Sequence, residues 1–351
     1  MGGDLLTDLT ELGEFGLIAR VSRGLARRQV APAAGAIRTA IGDDAALLAP
    51  PPGYEVVATA DALVETVHFR RDWSSAADIG WKALAANVSD LGAMGAEPLA
   101  ALVTVALPPH TELKWLDAFY VGLGECAAAY GCPVVGGDTV RAPFHVALSV
   151  TALGTVPEGQ AVHRRGARVG DCVCVTGVLG DSGGGLALLE KGVVRRPPGH
   201  HRAVLGWHRR PQPPVAAGAA LARAGVVTAM MDLSDGLASD VQHLCRESRV
   251  GIRVQAERLP ISDAARRTAG ELGVEPTHWA LHGGEDYQML FTVPAARMSE
   301  IPALLGPLGV VATRIGTVTA RGIEIADVGG APRPLHPLGF AHFRENAPGS
   351  R

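Results

Sequence analysis

Carboxylates recur in this chain beside apolar runs, in a pattern suited to holding cations. The stretch AMMDLSDGLASD, from Ala229 to Asp240, runs from an apolar approach into Asp232, Asp235 and Asp240. IGDDAAL supplies Asp43 and Asp44, VVATAD supplies Asp61, and ANVSD supplies Asn87 and Asp90 at a helical i, i+3 spacing. VVGGD supplies Asp138, and HGGED supplies Glu285 and Asp286. Any one of these is an ordinary helix N-cap or turn residue, and Asp232 can cap a helix over 236–248. As a set they imply more. Acids at the ends of apolar strands converge at one edge of a sheet, and carboxylates held together repel unless a cation joins them. Oxygen-only donors favour a hard ion such as Mg²⁺, and no HExxH or Cys/His spacing argues for zinc. Mg²⁺ on carboxylates commonly also holds substrate phosphates.

Those phosphates need a cradle. No GxxxxGK[ST] occurs, which removes the P-loop. GLGECA (Gly122 to Ala127) fits GxGxxA, but it falls inside a helical stretch rather than after a strand, the wrong context for a dinucleotide site. VTGVLGDSGGGLALL reads as strand, glycine turn and helix N-terminus. It is either an anion site built from free N–H groups or a tightly packed turn. The same stretch contains GDSGG (Gly180 to Gly184), which fits GxSxG. A serine hydrolase would use Ser182 with a later Asp232 and His282. Such an enzyme has no use for acids at other strand ends, and a chymotrypsin-like one places His and Asp before the serine.

The elements that must position these groups alternate along the chain, an α/β or α+β pattern. The 351 residues suggest two domains. In the first half we expect a helix over 16–29, a strand over 54–64, a helix from Ser74 or Ser75 to about 96 and a buried strand over 99–107. A helix closed by Gly131 and strands over 132–140 and 145–156 follow. A polar connection at 157–166 divides the chain into 1–157 and 158–351. The second half predicts strands at 172–176, 226–231, 251–254 and 287–293 and helices at 183–191, 215–224 and 236–248, with a loop over 192–214.

Composition narrows the partners. Apolar residues make up 47% of the chain and the net charge is −3, without a Lys/Arg-rich run, so nucleic acid is a poor fit. The longest apolar run, Leu99 to Leu107, is too short to span a bilayer. The N-terminus lacks a signal-peptide core, and five scattered cysteines without a CxxC pair suit reduced thiols in a cytoplasmic protein.

Nine strings, in order from Gly13 to Phe343, resemble the thiamine-monophosphate kinase family. They are GEFGLIARV, IGDDAALL, TADALVETVHF, WKALAANVSDLGAMGAEP, VVGGDTVR, RRGARVGDCVCVTGVLGDSGGGLALL, MDLSDGLASDVQHL, LHGGEDYQMLFTV and GFAHF. The resemblance implies the two-domain aminoimidazole-ribonucleotide-synthetase-like fold, with an N-terminal sheet that forms a dimer barrel and a C-terminal α/β domain. It implies transfer of the ATP γ-phosphoryl group to thiamine monophosphate, assisted by several Mg²⁺ ions, in a homodimer. By the same resemblance, Asp44, Thr59, Ala60, Asp61, Asp90, Asp138, Asp232 and Asp235 would hold metal. Tyr120, Gly137, Asp138, Arg164 and Ser234 would touch ATP, and His68, Glu285 and Phe340 would face the thiamine phosphate. Ala60 stands where the family often has a hydroxyl, so only its backbone carbonyl could serve. Asp240 reads as a solvated or helix-packing acid. The alternatives are a purine-pathway type of synthetase from the same superfamily, the serine hydrolase, and a nucleotide-binding protein without catalysis. No N-terminal Cys–Lys pair or C-terminal cysteine points to the superfamily's other branches.

Overall fold

The structure, a computed structural model, describes residues 9–26, 36–193, 197–327 and 329–339. The N-terminal half runs α1 (Leu9–Ala26), β1 (Ile37–Thr39), β2 (Leu47–Leu48), β3 (Tyr54–Val64), α2 (Ala76–Ala93), β4 (Glu97–Leu107), α3 (Leu113–Tyr130), β5 (Val134–Arg141) and β6 (Ala147–Pro157). The long strands form one sheet in the order β3-β6-β4-β5, with only β4 and β5 parallel. Val103, Val105, Leu148 and Val150 pack on one face against Ala83, Leu84, Val88, Phe119 and Leu123 of α2 and α3. On the other face, Ala58, Ala60 and Ala62 of β3 are exposed.

α2 begins where expected: the Ser75 hydroxyl accepts from the Asp78 amide at 3.2 Å, and Asp78 lies in the first turn, where an acid suits the dipole. The GxGxxA stretch also finds its explanation here. A Cβ on Gly122 would stand 1.7 Å from the Ala77 carbonyl oxygen, so that glycine lets α3 press against α2.

The C-terminal half runs β7 (Cys172–Thr176), α4 (Asp181–Glu190), α5 (Gly199–Arg209), α6 (Val215–Ala224), β8 (Ala229–Asp232), α7 (Leu237–Ser248), β9 (Gly251–Gln255), α8 (Asp263–Leu272), α9 (Pro276–His282), β10 (Met289–Val293), α10 (Ile301–Leu305), β11 (Ala312–Thr319), β12 (Ile323–Ala326) and β13 (Arg333–Pro334). Its mixed sheet has the order β13-β12-β9-β11-β7-β10-β8. Alternation along β7 sends Val173 and Val175 into the core under α4 and α7, and Cys172 and Cys174 into the core under α6 and α10. All five cysteines are buried and unpaired.

The stretch expected as a loop over 192–214 contains α5. Prolines flank this helix and no side chain caps it, so its polar sequence reads as a loop although Val204, Leu205 and His208 form a buried stripe at helical spacing. The two halves meet where α2 crosses α6. A Cβ on Gly218 would lie 2.0 Å from the Gly92 carbonyl oxygen, so the backbones touch there. No described helix is long and apolar enough to cross a membrane.

Candidate functional site

Carboxylates from both halves converge where the sheets face each other. Asp61 lies in the middle of β3, not at its end, and its amide donates to Asn87 Oδ1 of α2 at 3.1 Å. One turn further along α2, Asp90 Oδ2 accepts from the Thr59 hydroxyl at 2.5 Å. Asp232 closes β8 from the other half, only 3% exposed, and accepts from the Ser89 hydroxyl at 2.6 Å. Asp235 follows in the turn before α7, its amide donating to Asp240 Oδ2 at 3.2 Å. Of the two readings of Asp240, solvated or helix-packing, the structure shows the packed one: it is 1% exposed, under the same turn.

The electrostatics of this group follow from burial and like charge. Burial, then the charges of Asp90 and Asp235, raise Asp61 to about 6. Burial and then Asp90 raise Asp232 to about 7. Asp90 is raised chiefly by burial, against the Thr59 hydroxyl and the Arg164 cation. Asp240 is raised by burial, Asp232 and Asp235. Arg164 is the nearby cation that eases Asp90, Asp232 and Asp240. Thr59, Asp90, Arg164 and Asp232 line a cleft of about 430 Å³ between the halves.

A second group lies beside Tyr287, whose hydroxyl is raised by burial and then by Glu285, Asp61, Asp232 and Asp90. Glu285 Oε2 takes Lys82 Nζ at 2.8 Å and lies 3.3 Å from His208 Nδ1. Burial pushes the Glu285 carboxyl up, but the Lys82 ammonium outweighs it by its charge and its hydrogen bond and holds the group below its ordinary value. Burial and then Lys82 push His208 down to about 3, so its ring is neutral. His68 also acts on Glu285, and its Nδ1 accepts from the Val64 amide at 3.0 Å. Glu285 and Tyr287 have φ of 55° and 48°, a left-handed backbone that side chains resist. Their amides donate to the carbonyls of Ser234 and Leu233 at 2.7 and 2.8 Å. The turn carrying Glu285 is thereby fixed on the turn carrying Ser234 and Asp235.

Lys82 and His208 were not foreseen. The signal for Lys82 was a lone lysine on an apolar stripe, with Ile79, Ala83 and Ala86 at neighbouring helical positions. His208 gave none, because its helix was read as a loop.

Not every expected residue joins this centre. Asp44 is exposed between β1 and β2, its amide donating to Asp43 Oδ1 at 2.9 Å. Asp138 lies mid-strand in β5 and is exposed. Strand register puts it in one row with Thr104, Ser149 and Ala62, on the opposite face from Asp61. Ala60 shares that outer face. Gly137 has φ 157°, and a Cβ there would stand 1.9 Å from the Val103 carbonyl oxygen, which alone accounts for glycine. Tyr120 is buried in the N-terminal core, edge-on to Phe119 at 5.1 Å, and no contact joins it to the carboxylates among the described residues. Phe340 lies outside the described residues.

The glycine turn before α4 resolves as packing rather than an anion cradle. The Gly180 amide donates to both oxygens of Asp286, at 3.1 and 2.9 Å, so a buried carboxylate already fills the helix N-terminus. Burial raises Asp286 to about 8. Trp279 packs on the turn, where a Cβ at Gly184 would lie 3.1 Å from its ring. Ser182 is 1% exposed and lies 3.0 Å from His208 Nδ1, the same nitrogen that faces Glu285. A catalytic triad needs serine and acid on opposite ring nitrogens, so this arrangement is not one.

Two family models match the chain: the AIR synthase related protein N-terminal domain over residues 42–156 and the C-terminal domain over 168–329. The thiamine-monophosphate kinase of Salmonella typhimurium is 38% identical over 334 residues, covering 94% of this chain and 98% of that protein. This chain belongs to the thiamine-monophosphate kinase family. The crystal structure of the family member from Stenotrophomonas maltophilia K279a superposes with a TM-score of 0.79 at 38% identity, over 90% of this chain and 96% of that one. The structure of AaThiL complexed with AMPPCP and TMP superposes at 0.74 and 34% identity, over 97% of this chain and all of that one. Kinase-family membership removes the hydrolase on independent grounds.

Proposed function

We propose that this protein transfers the γ-phosphoryl group of ATP to thiamine monophosphate, giving thiamine diphosphate and ADP, by direct in-line attack. The observation that carries this reading is that Asp90 and Asp232, one from each half, line one cleft with Arg164, with the half-buried Asp61 close enough to feel the charge of Asp90. Phosphoryl transfer needs positioning and charge neutralisation more than covalent help. The acceptor is a phosphate monoester, already nucleophilic at neutral pH, so the site needs no general base.

The donor set fits Mg²⁺. Its atoms are carboxylate and hydroxyl oxygens, and Asp61 and Asp232 feel the like charge of Asp90, an arrangement that a hard cation suits. Asp61, Asp90, Asp232 and Asp235, with Thr59, would hold the ions, which when bound would neutralise the nucleotide phosphates. Arg164 and Ser234 would contact ATP from the C-terminal half. Lys82 holds Glu285 Oε2, which keeps this carboxylate ionised and would leave Oε1 for the cationic thiazolium. His68 would complete that side, and the family resemblance alone assigns Phe340 to it. The outer face of the N-terminal sheet, with Ala60 and Asp138 on it, would receive a second copy of the chain to form the homodimer, and the domain boundary falls after 157.

The test compares thiamine and thiamine monophosphate as acceptors with Mg-ATP, following ADP release and thiamine diphosphate by chromatography. Turnover confined to the monophosphate is expected. Comparable turnover of free thiamine, or none of either, would overturn the reading.

A further inference from the structure

Helices α5 and α8 bring together three groups that the proposed reaction does not use. His200 Nε2 lies 2.8 Å from Glu271 Oε1, and His201 Nε2 lies 2.7 Å from Glu271 Oε2. One ligand atom from each residue falls within 4.8 Å of the other two. Neighbouring residues on a helix project about 100° apart. Here the two rings, in the first turn of α5, are edge-on with centroids 4.5 Å apart and both reach one carboxylate. The imidazoles are mostly covered, with side-chain exposures of 20% and 12%, while Glu271 is half-exposed, so the cluster opens to solvent on one side.

We propose that His200, His201 and Glu271 bind one divalent transition-metal ion, with Zn²⁺ the best match, at a site separate from the carboxylate cleft. Two imidazole nitrogens and a carboxylate oxygen with one free position suit a borderline ion and do not suit Mg²⁺. Ligand atoms on a tetrahedral Zn²⁺ with bonds of about 2.0–2.1 Å sit roughly 3.3 Å apart, so small side-chain rotations close the set. Glu271 also lies in the last turn of α8, where its charge opposes the helix dipole, and a cation there relieves that conflict. The ion would tie the start of α5 to the end of α8. α5 also carries His208 to Glu285 and Trp207 to the Asp286 carbonyl, so occupancy braces the helix that lines the acceptor side. Occupancy thus becomes a means of tightening the acceptor site without touching substrate.

The full-length protein is titrated with Co²⁺ in excess Mg²⁺ while visible absorption is followed, then challenged with Zn²⁺. One equivalent of Co²⁺ is expected to give the bands of a four- or five-coordinate ion, and Zn²⁺ should abolish them. His201→Gln and Glu271→Gln, each checked for folding by circular dichroism, should weaken Co²⁺ binding by about tenfold or more. Asp232→Asn, in the other cluster, should leave the bands unchanged. Zn²⁺ should raise the melting temperature of the wild type and not that of His201→Gln. Bands that survive in both folded variants, bands lost in Asp232→Asn, or no saturable binding in excess Mg²⁺ would each overturn the proposal.

Discussion

Asp232→Asn separates a metal-binding carboxylate from a structural one. The wild-type carboxyl is 3% exposed and raised from 3.8 to about 7 by burial and by Asp90. A raised carboxylate binds its proton more tightly folded than unfolded. The metal-free protein therefore loses stability as pH rises from about 4 towards 7, and the full cost is present above 7. At about 1.4 kcal/mol per unit, a shift of this size is worth at most roughly 4 kcal/mol, and less because Asp90 and Asp240 share it. Asn removes the charge, nearly keeps the shape and still accepts from Ser89. With an unfolding entropy of about 2.1 cal/mol/K per residue, each kcal/mol moves the melting point by about 1.4 °C. In EDTA at pH 8 the variant should therefore melt roughly 2–5 °C above wild type, and at pH 5 the difference should shrink to about 40% of that. In Mg-ATP the order should reverse, because the variant has lost a charged ligand, and turnover should fall by orders of magnitude. Calorimetry at both pH values, with and without Mg-ATP, gives all four numbers. A variant that melts below wild type at pH 8 in EDTA, by the same margin at pH 5, would refute the reasoning, since that is the behaviour of a lost structural hydrogen bond.

Lys82→Met leaves the Glu285 charge without its closest partner and should cost about 3–5 kcal/mol in urea unfolding. Because Glu285 is held below its ordinary value, the pair's contribution is present at neutral pH and is lost as pH falls through the lowered folded value. The Lys82→Met deficit should therefore shrink in strong acid. Ser182→Ala should change turnover by less than about tenfold, against the roughly million-fold loss expected for a nucleophile, and a fluorophosphonate should not label the wild type. Gly137→Ala should destabilise by roughly 1–3 kcal/mol or more, since its Cβ would meet the Val103 carbonyl at 1.9 Å; an unchanged melting curve would contradict the packing account. Asp44→Asn, at an exposed position outside the buried group, should leave the metal-free melting point unmoved.

Local signals made much of the scaffold legible. β3 has the expected bounds because its β-branched run is long and bordered by turn residues. α2 was legible because Ser75 caps a strongly apolar stripe. α8 and α9 went unread. α8 was readable: Ser262 caps it and Ala264, Ala265, Thr268, Ala269 and Leu272 recur at helical spacing, but the buried groups are small and the sequence between them is polar. The acids themselves were legible as a set, but their geometry was not. Asp61 and Asp138 each sit mid-strand, and which face they take depends on a register between strands distant in sequence. A one-residue slip would exchange their faces, and local sequence does not fix that slip. The glycines before α4 stayed ambiguous for a related reason. A glycine that admits a phosphate and one that admits a neighbouring backbone leave the same mark in sequence, and at Gly122, Gly180 and Gly184 the neighbour is protein.

The placement of the acids couples the cleft to the docking of the two halves. Thr59, Asp61 and Asp90 come from β3 and α2, while Asp232, Asp235 and Asp240 come from β8 and α7. Neither half alone confronts the full charge; the repulsion arises when they meet, and the shifts of Asp61 and Asp232 record it. Holding them together falls to apolar contacts outside the cleft, chiefly the α2–α6 crossing at Gly92 and Gly218, and to the Lys82–Glu285 pair that bridges the halves. On the proposed reading, a cation entering the cleft would relieve the repulsion that opposes docking. Whatever binds there must therefore also tighten the interface between the halves, by the linkage that makes any ligand of the closed form stabilise it. The acceptor side shares the benefit, because Glu285 is fixed by the turn that carries Ser234 and Asp235 and by a lysine from the opposite half. On the proposed reading, nucleotide bound at the carboxylates would also order the turn that carries Glu285, so the two bindings would be cooperative.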